Sequence, residues 1–270
     1  MNEGPRDLHD GRVAALLREA AQRMSPRGDP ARLVERALAN STDRLLVVNS
    51  PLGRLYVGAG PRGVRLVRLG GSAEGFARDY RRRFGRLLSE GKDRRTLMLA
   101  ERLARALSTD KVEVPVDLSG TTPFQRRVLE VVGGIPRGEV RPYAWVAREA
   151  GSPGASRAVG TALANNPVPL VVPCHRVVRN DGTTGGYAFG APRKVELLRS
   201  EGVPVEELER ALYVATPTTG IVCHATCRNA RRIRPENRRP YRSVGGAIKA
   251  GYRPCRVCRP VVSGGVRGDD

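Results

Sequence analysis

Residues 166–178, NPVPLVVPCHRVV, place a cysteine and a histidine side by side at the end of an apolar segment that contains three prolines. Proline fixes φ and removes a backbone donor, so the segment is predicted to be stiff and extended up to Cys174. A thiolate is a strong nucleophile, and an imidazole is the usual group that deprotonates it. Cys174 and His175 are therefore a candidate nucleophile and its base.

The other four cysteines form a separate group near the C-terminus. Their spacing is Cys223-x3-Cys227-x27-Cys255-x2-Cys258, which is typical of a tetrahedral zinc site. The segment around them has few large apolar residues, so we expect it to need the metal in order to fold. Cys174 is then the one cysteine without a structural role.

The chain is strongly basic, and the charge is uneven. It has 47 Lys and Arg against 27 Asp and Glu, a net charge of +20. Residues 213–260 alone hold 11 basic residues and one acidic residue. A field of this kind attracts polyanions, nucleic acid first. An arginine-rich coding bias explains part of the excess but not its concentration in one segment.

Cysteine usage and the first residues indicate the compartment. Five cysteines in 270 residues are too few for a disulfide scaffold and fit a reducing environment. Early acidic residues (Glu3, Asp7, Asp10) and the lack of an apolar run predict no signal peptide, and no stretch approaches the length of a membrane span. We expect a cytoplasmic protein without a membrane partner.

The first part of the chain is predicted to be a scaffold. Residues 1–42 have a helical pattern and are interpreted as a helical extension. Within residues 43–117, short apolar runs separated by glycine-rich turns predict an antiparallel meander. Helices are expected at about 73–88 and 94–107. The runs of the meander are Leu45–Val48, Leu55–Val57 and Val64–Val67.

Residues 118–202 form a unit of a different kind. Thr122, Pro123 and Gln125 have the positions of a capping box, which predicts a helix to about residue 135. Helices at about 143–150 and 155–164, joined by a turn with glycines, have the form of a helix-turn-helix. A last helix is expected at 191–201.

These patterns predict an α+β fold with several units. After the extension come a small mixed α/β domain, a helical helix-turn-helix domain and a small zinc-bound module. The expected boundaries are 1–42, 43–117, 118–202, an acidic linker at 203–210, the zinc module at 211–262 and a tail at 263–270.

Residues 121–202 resemble the C-terminal domain of the O6-alkylguanine-DNA alkyltransferases, also called methylated-DNA–protein-cysteine methyltransferases. Residues 44–117 are similar in size and position to the ridge domain of that family. The resemblance to the C-terminal domain is carried by spaced motifs in the order of the family: TPFQ (122–125), IPRG (135–138), Tyr143, SRAVG (156–160), NPVP (166–169), PCHRV (173–177), GGY (185–187), Arg193-Lys194 and LLxxEG (197–202).

The resemblance implies roles for individual residues around the nucleophile. Cys174 would accept the alkyl group from a flipped-out O6-alkylguanine, or from O4-alkylthymine, in duplex DNA. His175, oriented by Glu201, would take the thiol proton through a water. Asn166 would hold the turn that carries Cys174, and Tyr143 would donate to the leaving base. The thioether product implies one reaction per molecule.

The resemblance also implies the surfaces that bind DNA and base. Arg157 would fill the gap that the flipped base leaves. The other residues assigned to DNA contact are Ser156, Ala158 and Gly160, with Tyr143. The residues assigned to the base pocket are Pro169, Val177, Tyr187 and Ala188, with main-chain groups near Val177 and Ala188 reading the guanine edge. The family implies no organic cofactor, and we expect a monomer.

The sequence departs from the family before Tyr143. A serine is usual at that position and makes a good helix cap, whereas Arg141-Pro142 stands here. The start of that helix is therefore less well defined by the sequence than the role of Tyr143.

The cysteine segment resembles the zinc domain of the bacterial adaptive-response protein Ada. Two roles stay open: structural zinc with binding to the DNA backbone, or a zinc-activated Cys223 that accepts methyl from phosphotriesters. The departure HAT at 224–226, where the family has Arg-Pro, favours the first role. His224 is not expected to be a ligand while four cysteines suffice.

Two other functions compete with alkyl transfer. One is a DNA-damage sensor or regulator that uses the zinc module without chemistry at Cys174. The other is a Cys–His hydrolase, which would need a water to release its intermediate.

Overall fold

A computed structural model of the protein describes residues 15, 18, 19, 41–91, 93–109 and 113–262. Ten β-strands and eight α-helices lie wholly within these residues. Of the predicted extension at 1–42, Ala15, Arg18 and Glu19 are helical, and the remainder up to residue 40 lies outside the described residues, as does the tail at 263–270. No helix in the described part of the chain is long and apolar enough to cross a bilayer.

The first unit is a four-stranded sheet with two helices, and its meander confirms the sequence prediction. The strands lie in the order β3-β2-β1-β4, with β4 parallel to β1 and the other pairs antiparallel. The elements are β1 (Thr42–Ser50), β2 (Gly53–Gly60), β3 (Gly63–Leu69), α1 (Ala73–Phe84), β4 (Leu87–Glu90) and α2 (Arg94–Ser108).

Strand β4 is a correction to the sequence analysis, which extended the first helix to residue 88. Helix α1 ends at Phe84 because Gly85 adopts a left-handed conformation, φ 64°, and its N–H bonds to the Arg81 carbonyl. This is the usual glycine stop of a helix. The chain after it is free to pair with β1.

The second unit is helical and carries the candidate nucleophile. Its two short strands pair in parallel, and Cys174–Arg176 form one 3₁₀ turn between the helices. The elements are α3 (Pro123–Gly133), β5 (Arg141–Pro142), α4 (Tyr143–Glu149), α5 (Ser156–Ala164), β6 (Val177–Val178) and α6 (Ala191–Ser200). Helices α4 and α5 pack together, as expected for a helix-turn-helix.

The predicted capping box of α3 is half formed. The Thr122 side chain accepts from the Gln125 N–H, as expected. The Gln125 amide does not return to the cap. It donates to the carbonyls of Ala162 and Asn165 at 3.1 and 2.9 Å, so it ties the start of α3 to the end of α5.

The third unit is a small sheet around the four cysteines. Its strands lie in the order β10-β8-β7-β9. The elements are β7 (Tyr213–Thr216), β8 (Ile221–His224), β9 (Arg239–Tyr241), α8 (Val244–Lys249) and β10 (Arg253–Pro254).

The segment at 203–210, expected to be a linker, packs into a core. It contains helix α7 (Val205–Leu208), and Val203, Val205 and Leu208 are buried. These side chains join one apolar cluster with Val140 and Leu198 of the helical unit. The members from the cysteine module are Leu212, Tyr213, Ala215, Val222, Val244 and Ala247. The helical unit and the cysteine module therefore share a hydrophobic core.

Candidate active site and metal centre

Cys174 lies at the base of a cavity of about 450 Å³ beside helix α5. Cys174 is 5 % exposed. The loop before it is attached to the first sheet, because the Pro167 carbonyl accepts from the Val67 N–H of β3 at 2.8 Å. The cavity is lined by Tyr143, Gly160, Leu163, Ala164, Cys174, Gly186, Tyr187 and Ala188.

Asn166 holds the turn that carries the nucleophile. Its amide nitrogen donates to the Val172 carbonyl at 3.1 Å and to the Cys174 sulfur at 3.3 Å, and its oxygen accepts from the Val168 N–H at 3.0 Å. The same loop forces Leu170 to a φ of 73°, a conformation that non-glycine residues rarely adopt. The three bonds of Asn166 oppose relaxation of that strain.

His175 and Glu201 form the expected pair. The His175 Nε2 lies 3.0 Å from the Glu201 Oε1, and both side chains are 3 % exposed. With Nε2 donating to the carboxylate, Nδ1 carries the lone pair that accepts a proton. Nδ1 is buried and forms no hydrogen bond to any residue that the structure describes. It is therefore available as a base.

Glu201 also binds Arg176 and the IPRG turn. The Arg176 Nη2 and Nε donate to its two oxygens, each at 2.9 Å, and the Gly138 N–H approaches it at 3.3 Å. Arg137 lies 3.6 Å away. The Arg176 Nη1 donates to the Ile135 carbonyl at 2.6 Å. The motifs at 135–138, 173–177 and 197–202 thus meet at one carboxylate.

Burial and charge set the protonation states of Cys174, His175 and Glu201, which are called the acceptor group below. Burial raises the pKa of the Cys174 thiol, and the hydrogen bond from Asn166 and the charge of Lys194 offset only part of this. Burial also lowers the pKa of His175 despite the Glu201 carboxylate. For Glu201, burial opposes ionisation, but hydrogen bonds from His175 and Arg176 hold its pKa at about 2. At neutral pH the group is a thiol, a neutral imidazole and a carboxylate.

Lys194 is a site residue to which the sequence analysis gave no role. It is fully buried, and its Nζ donates to the carbonyls of Val177 and Gly186 at 2.5 and 3.3 Å. Burial lowers its pKa to about 8, opposed by the nearby Cys174. The signal in the sequence was its helical spacing with Leu197 and Leu198, which places a lysine on the buried face of α6.

The residues assigned to the base pocket divide into two pairs. Tyr187 and Ala188 line the cavity, and the Tyr187 hydroxyl is buried without a hydrogen bond to a described residue. Pro169 and Val177 are buried outside the lining. The N–H of Val177 donates to the Cys174 carbonyl and its own carbonyl accepts from Lys194. Ala188 is therefore the better candidate to read a base edge through main-chain groups.

Helix α5 presents the residues assigned to DNA. Val159, Ala162 and Leu163 face the core, whereas Arg157 and Ala158 are exposed and Ser156 and Gly160 are partly exposed. A Cβ at Gly160 would meet nothing within 4 Å, so internal packing does not require this glycine. An internal helical glycine costs about 1 kcal/mol relative to alanine. A glycine at position 160 is therefore consistent with close approach of another molecule to this face of α5.

Tyr143 begins α4 with its side chain at the cavity. The preceding Arg141-Pro142 forms strand β5, and Pro142 provides no side-chain cap. Arg141 is buried with an ion pair to Glu139, and its guanidinium lies 5.4 Å from the centroid of the Trp145 ring. The departure from the family motif therefore leaves the position of Tyr143 intact.

The four C-terminal cysteines form a cluster that fits a zinc ion. Their sulfur atoms all lie within 4.8 Å of one another, and each residue is at most 3 % exposed. Tetrahedral zinc with Zn–S bonds of about 2.3 Å requires sulfur–sulfur distances of about 3.8 Å, so small adjustments would complete the site. Cys223, Cys227, Cys255 and Cys258 would hold the metal. His224 lies outside the cluster, with its ring between Tyr213 and Trp145.

Two family models match the chain in succession. Residues 123–203 match the DNA-binding domain of 6-O-methylguanine DNA methyltransferase. Residues 206–261 match the metal-binding domain of Ada.

Individual relatives agree with the family models. The methylated-DNA–protein-cysteine methyltransferase of Methanothermobacter thermautotrophicus is 51% identical over 102 residues, 36% of this chain and 57% of that protein. The bifunctional transcriptional activator/DNA repair enzyme Ada of Escherichia coli is 33% identical over 167 residues, 60% of this chain and 46% of that protein.

A solved structure, Mycobacterium tuberculosis OGT in complex with DNA, is 31% identical with a TM-score of 0.47, covering 62% of this chain and 98% of that one. The chain spans about half the length of the curated relatives it matches. Residues 123–203 therefore form a domain of the 6-O-methylguanine DNA methyltransferase DNA-binding type, and residues 206–261 form a metal-binding domain of the Ada type.

Proposed function

We propose that this protein repairs duplex DNA by moving the alkyl group of O6-alkylguanine, or of O4-alkylthymine, to its own Cys174. One observation carries the proposal. The sulfur of Cys174, held by Asn166, faces a cavity whose wall is built from helix α5 of the helix-turn-helix. A base that leaves the duplex beside α5 would enter the cavity with its O6 substituent toward the thiol.

The duplex must open before the reaction, because the O6 position lies inside the base stack. The exposed face of α5 offers a small surface, Ala158 and Gly160, next to one long cation, Arg157. Small residues allow the helix to approach the groove closely. Arg157 would occupy the space left by the flipped base and pair with the orphaned partner.

The transfer then balances as a displacement at carbon. The thiol proton passes through a water to the Nδ1 of His175, and the sulfur lone pair forms the S–C bond. The C–O bond breaks, its electron pair goes to the guanine O6, and Tyr143 donates to the base as that charge develops. Glu201 stabilises the imidazolium that forms, at 3.0 Å. The charge of Lys194 favours the thiolate.

The product is a thioether, which the residues around Cys174 have no chemistry to reverse, so each molecule acts once. A duplex with one O6-methylguanine should therefore be repaired to an extent equal to the protein added, and then the reaction should stop. Continued turnover would indicate the hydrolase alternative, and binding without repair the sensor alternative. An identical duplex with unmodified guanine is the control.

The pH dependence follows from the protonation states of the acceptor group. Transfer needs neutral His175, and burial lowers the pKa of His175 below its usual 6.5, so the rate constant should hold from pH 8 to about 6.5 and fall at lower pH. In His175→Ala the raised thiol pKa leaves proton loss to solvent, and the rate constant should rise about tenfold per pH unit. Single-turnover kinetics across pH 5–9 measure both profiles. A flat profile for His175→Ala would remove His175 from the proton path.

Base flipping gives a prediction for Arg157. Arg157→Ala should slow repair of duplex DNA by about 10- to 100-fold, because unstacking a base costs a few kcal/mol that the arginine offsets. The reaction with free O6-benzylguanine, which needs no flipping, should keep its rate. Arg54→Ala, which removes an exposed arginine of strand β2, is the matched control for loss of charge. Equal slowing with both substrates would place Arg157 in the chemistry rather than in flipping.

For the cysteine module we propose structural zinc and contact with the DNA backbone. Burial of all four sulfurs supports the structural role, and ten arginines between residues 228 and 259 support the contact. Phosphotriester DNA should then leave Cys223 unmethylated. We further propose a monomer, since one chain supplies every residue of the site, and a cytoplasmic location, where thiolate ligands stay reduced.

A further inference from the structure

The metal centre contacts the first helix of the helix-turn-helix directly. The Trp145 Nε1 of α4 donates to the carbonyl of Cys258, a predicted ligand residue, at 2.9 Å. One turn later, Arg148 donates to the Arg259 carbonyl at 2.8 Å, and Glu149 forms an ion pair with the Arg259 side chain. The turn at 255–259 is thus attached along the length of α4.

The other cysteine turn is attached to the two residues just before strand β5, which leads into α4. The Arg228 N–H, next to Cys227, donates to the Glu139 carboxylate at 2.9 Å. The Thr226 hydroxyl accepts from the Val140 N–H at 2.9 Å. Glu139 and Val140 are buried at this contact. One of the two turns that carry the ligands therefore contacts α4, and the other contacts the segment that leads into α4.

Helix α4 is poorly suited to hold its shape alone. It has seven residues and no side-chain cap, and a helix this short is unstable without packing. Its first residue, Tyr143, lines the cavity at Cys174, while Trp145 is 8 % exposed and faces the cysteine module. The same two turns of helix connect the metal centre with the acceptor site.

The cysteine turns depend in turn on the ligand cluster. Four thiols within 4.8 Å of one another repel as thiolates unless a cation lies between them, and short segments of this kind fold with their metal. Loss of the metal would release the Cys258 carbonyl and the Arg259 side chain from α4.

We propose that metal binding at the four cysteines holds α4 in place and so controls alkyl transfer at Cys174. Trp145 and Glu149 are the positioning residues that connect the two sites. The effect on transfer rests on the proposed function, whereas the effect on the position of Trp145 does not. The Ada-type module is then a brace of the repair domain, rather than an independent attachment.

The chain contains one tryptophan, so its fluorescence reports on this contact without labelling. Zinc-loaded full-length protein would be treated with a chelator under reducing conditions, with metal content, emission spectrum and single-turnover rate followed together. We expect the emission of Trp145 to shift to longer wavelength as it becomes exposed, and transfer to slow at least tenfold. Added zinc should reverse both. Metal-free protein with the original spectrum and rate would overturn the proposal.

If the metal-free chain unfolds, the connection through α4 is tested with a variant that keeps all four cysteines and therefore its zinc. The double variant Trp145→Phe with Glu149→Gln keeps an aromatic ring at position 145 but removes the Trp145 hydrogen bond to Cys258 and the Glu149 ion pair with Arg259. The bond from Arg148 to the Arg259 carbonyl stays. The double variant should bind one zinc per chain and transfer about two- to tenfold more slowly, the range set by one hydrogen bond. Tyr252→Phe removes a hydroxyl elsewhere in the module, where Tyr252 packs on Tyr241, and should have the original rate.

The outcomes separate the two proposals. An original rate in the double variant, with zinc bound, would overturn the connection through α4. If zinc-loaded protein transfers no alkyl group but Trp145 still shifts on metal removal, the proposed function fails and the structural coupling stands.

Discussion

Replacing Cys174 by alanine is expected to abolish alkyl transfer completely, because no other described thiol faces the cavity beside α5. The change removes one small buried side chain and leaves α5 with its exposed Arg157 intact. Binding to duplex DNA should therefore persist. Repair is measured as the loss of O6-methylguanine from the duplex, and DNA binding is measured by fluorescence anisotropy.

Cys174→Ser is the matched control for volume. A hydroxyl is a far weaker nucleophile than a thiol at neutral pH, so this variant should keep the cavity and the bond from Asn166 but repair at a rate close to that of the alanine variant. Repair at the original rate in either variant would contradict the assignment of Cys174 as the acceptor.

Replacing Glu201 by alanine is expected to lower both stability and rate. The carboxylate is 3 % exposed and binds His175 and Arg176, and removing one partner of a buried ion pair costs about 3–5 kcal/mol. His175 would lose the group that fixes Nδ1 as the acceptor, so transfer should also slow. Urea unfolding measures the free energy, and single-turnover kinetics measure the rate.

Glu206→Ala is the matched control for Glu201. Its carboxylate pairs with Arg199, which lies near the end of α6 and two residues before Glu201. Both side chains of this pair are 62 % exposed, and exposed ion pairs contribute little to stability. Its unfolding midpoint and rate should match the original protein. Similar losses in the two variants would show that charge in this region matters, rather than the buried network of Glu201.

The parts of the fold that the sequence predicted have strong local signals. Alternating apolar runs with glycine turns specify the meander, and Thr122 with Pro123 marks the start of α3. The cysteine spacing indicated the cluster that the structure brings together. For the meander and for α3 nearby residues suffice to decide the structure, and for the cluster the cysteine spacing identifies the ligands although they lie far apart in the chain.

The features that the sequence did not predict depend on distant contacts. Strand β4 exists because β1 offers an open edge. The buried faces of α7 form only where two modules meet. The Gln125 side chain does not cap α3; it donates instead to two carbonyls about 40 residues away in the chain. Propensity and spacing carry no information about such partners.

The candidate site divides in the same way. The residue types of Cys174, His175 and Glu201 were recognisable from their motifs, and the structure places His175 and Glu201 in contact. The role of Lys194 depends on two carbonyls that only the folded chain presents. The bonds of Val177 to Cys174 and Lys194 also depend on the folded chain.

The central claim is that the alkyl group of the lesion ends on the sulfur of Cys174. The direct test is to incubate the zinc-loaded protein with one equivalent of a duplex that contains O6-methylguanine, digest it, and map modified peptides by mass spectrometry. We predict one added CH2 per molecule, on Cys174 alone, with the peptides of Cys223, Cys227, Cys255 and Cys258 unchanged. An unmodified Cys174 peptide after complete repair would contradict the account.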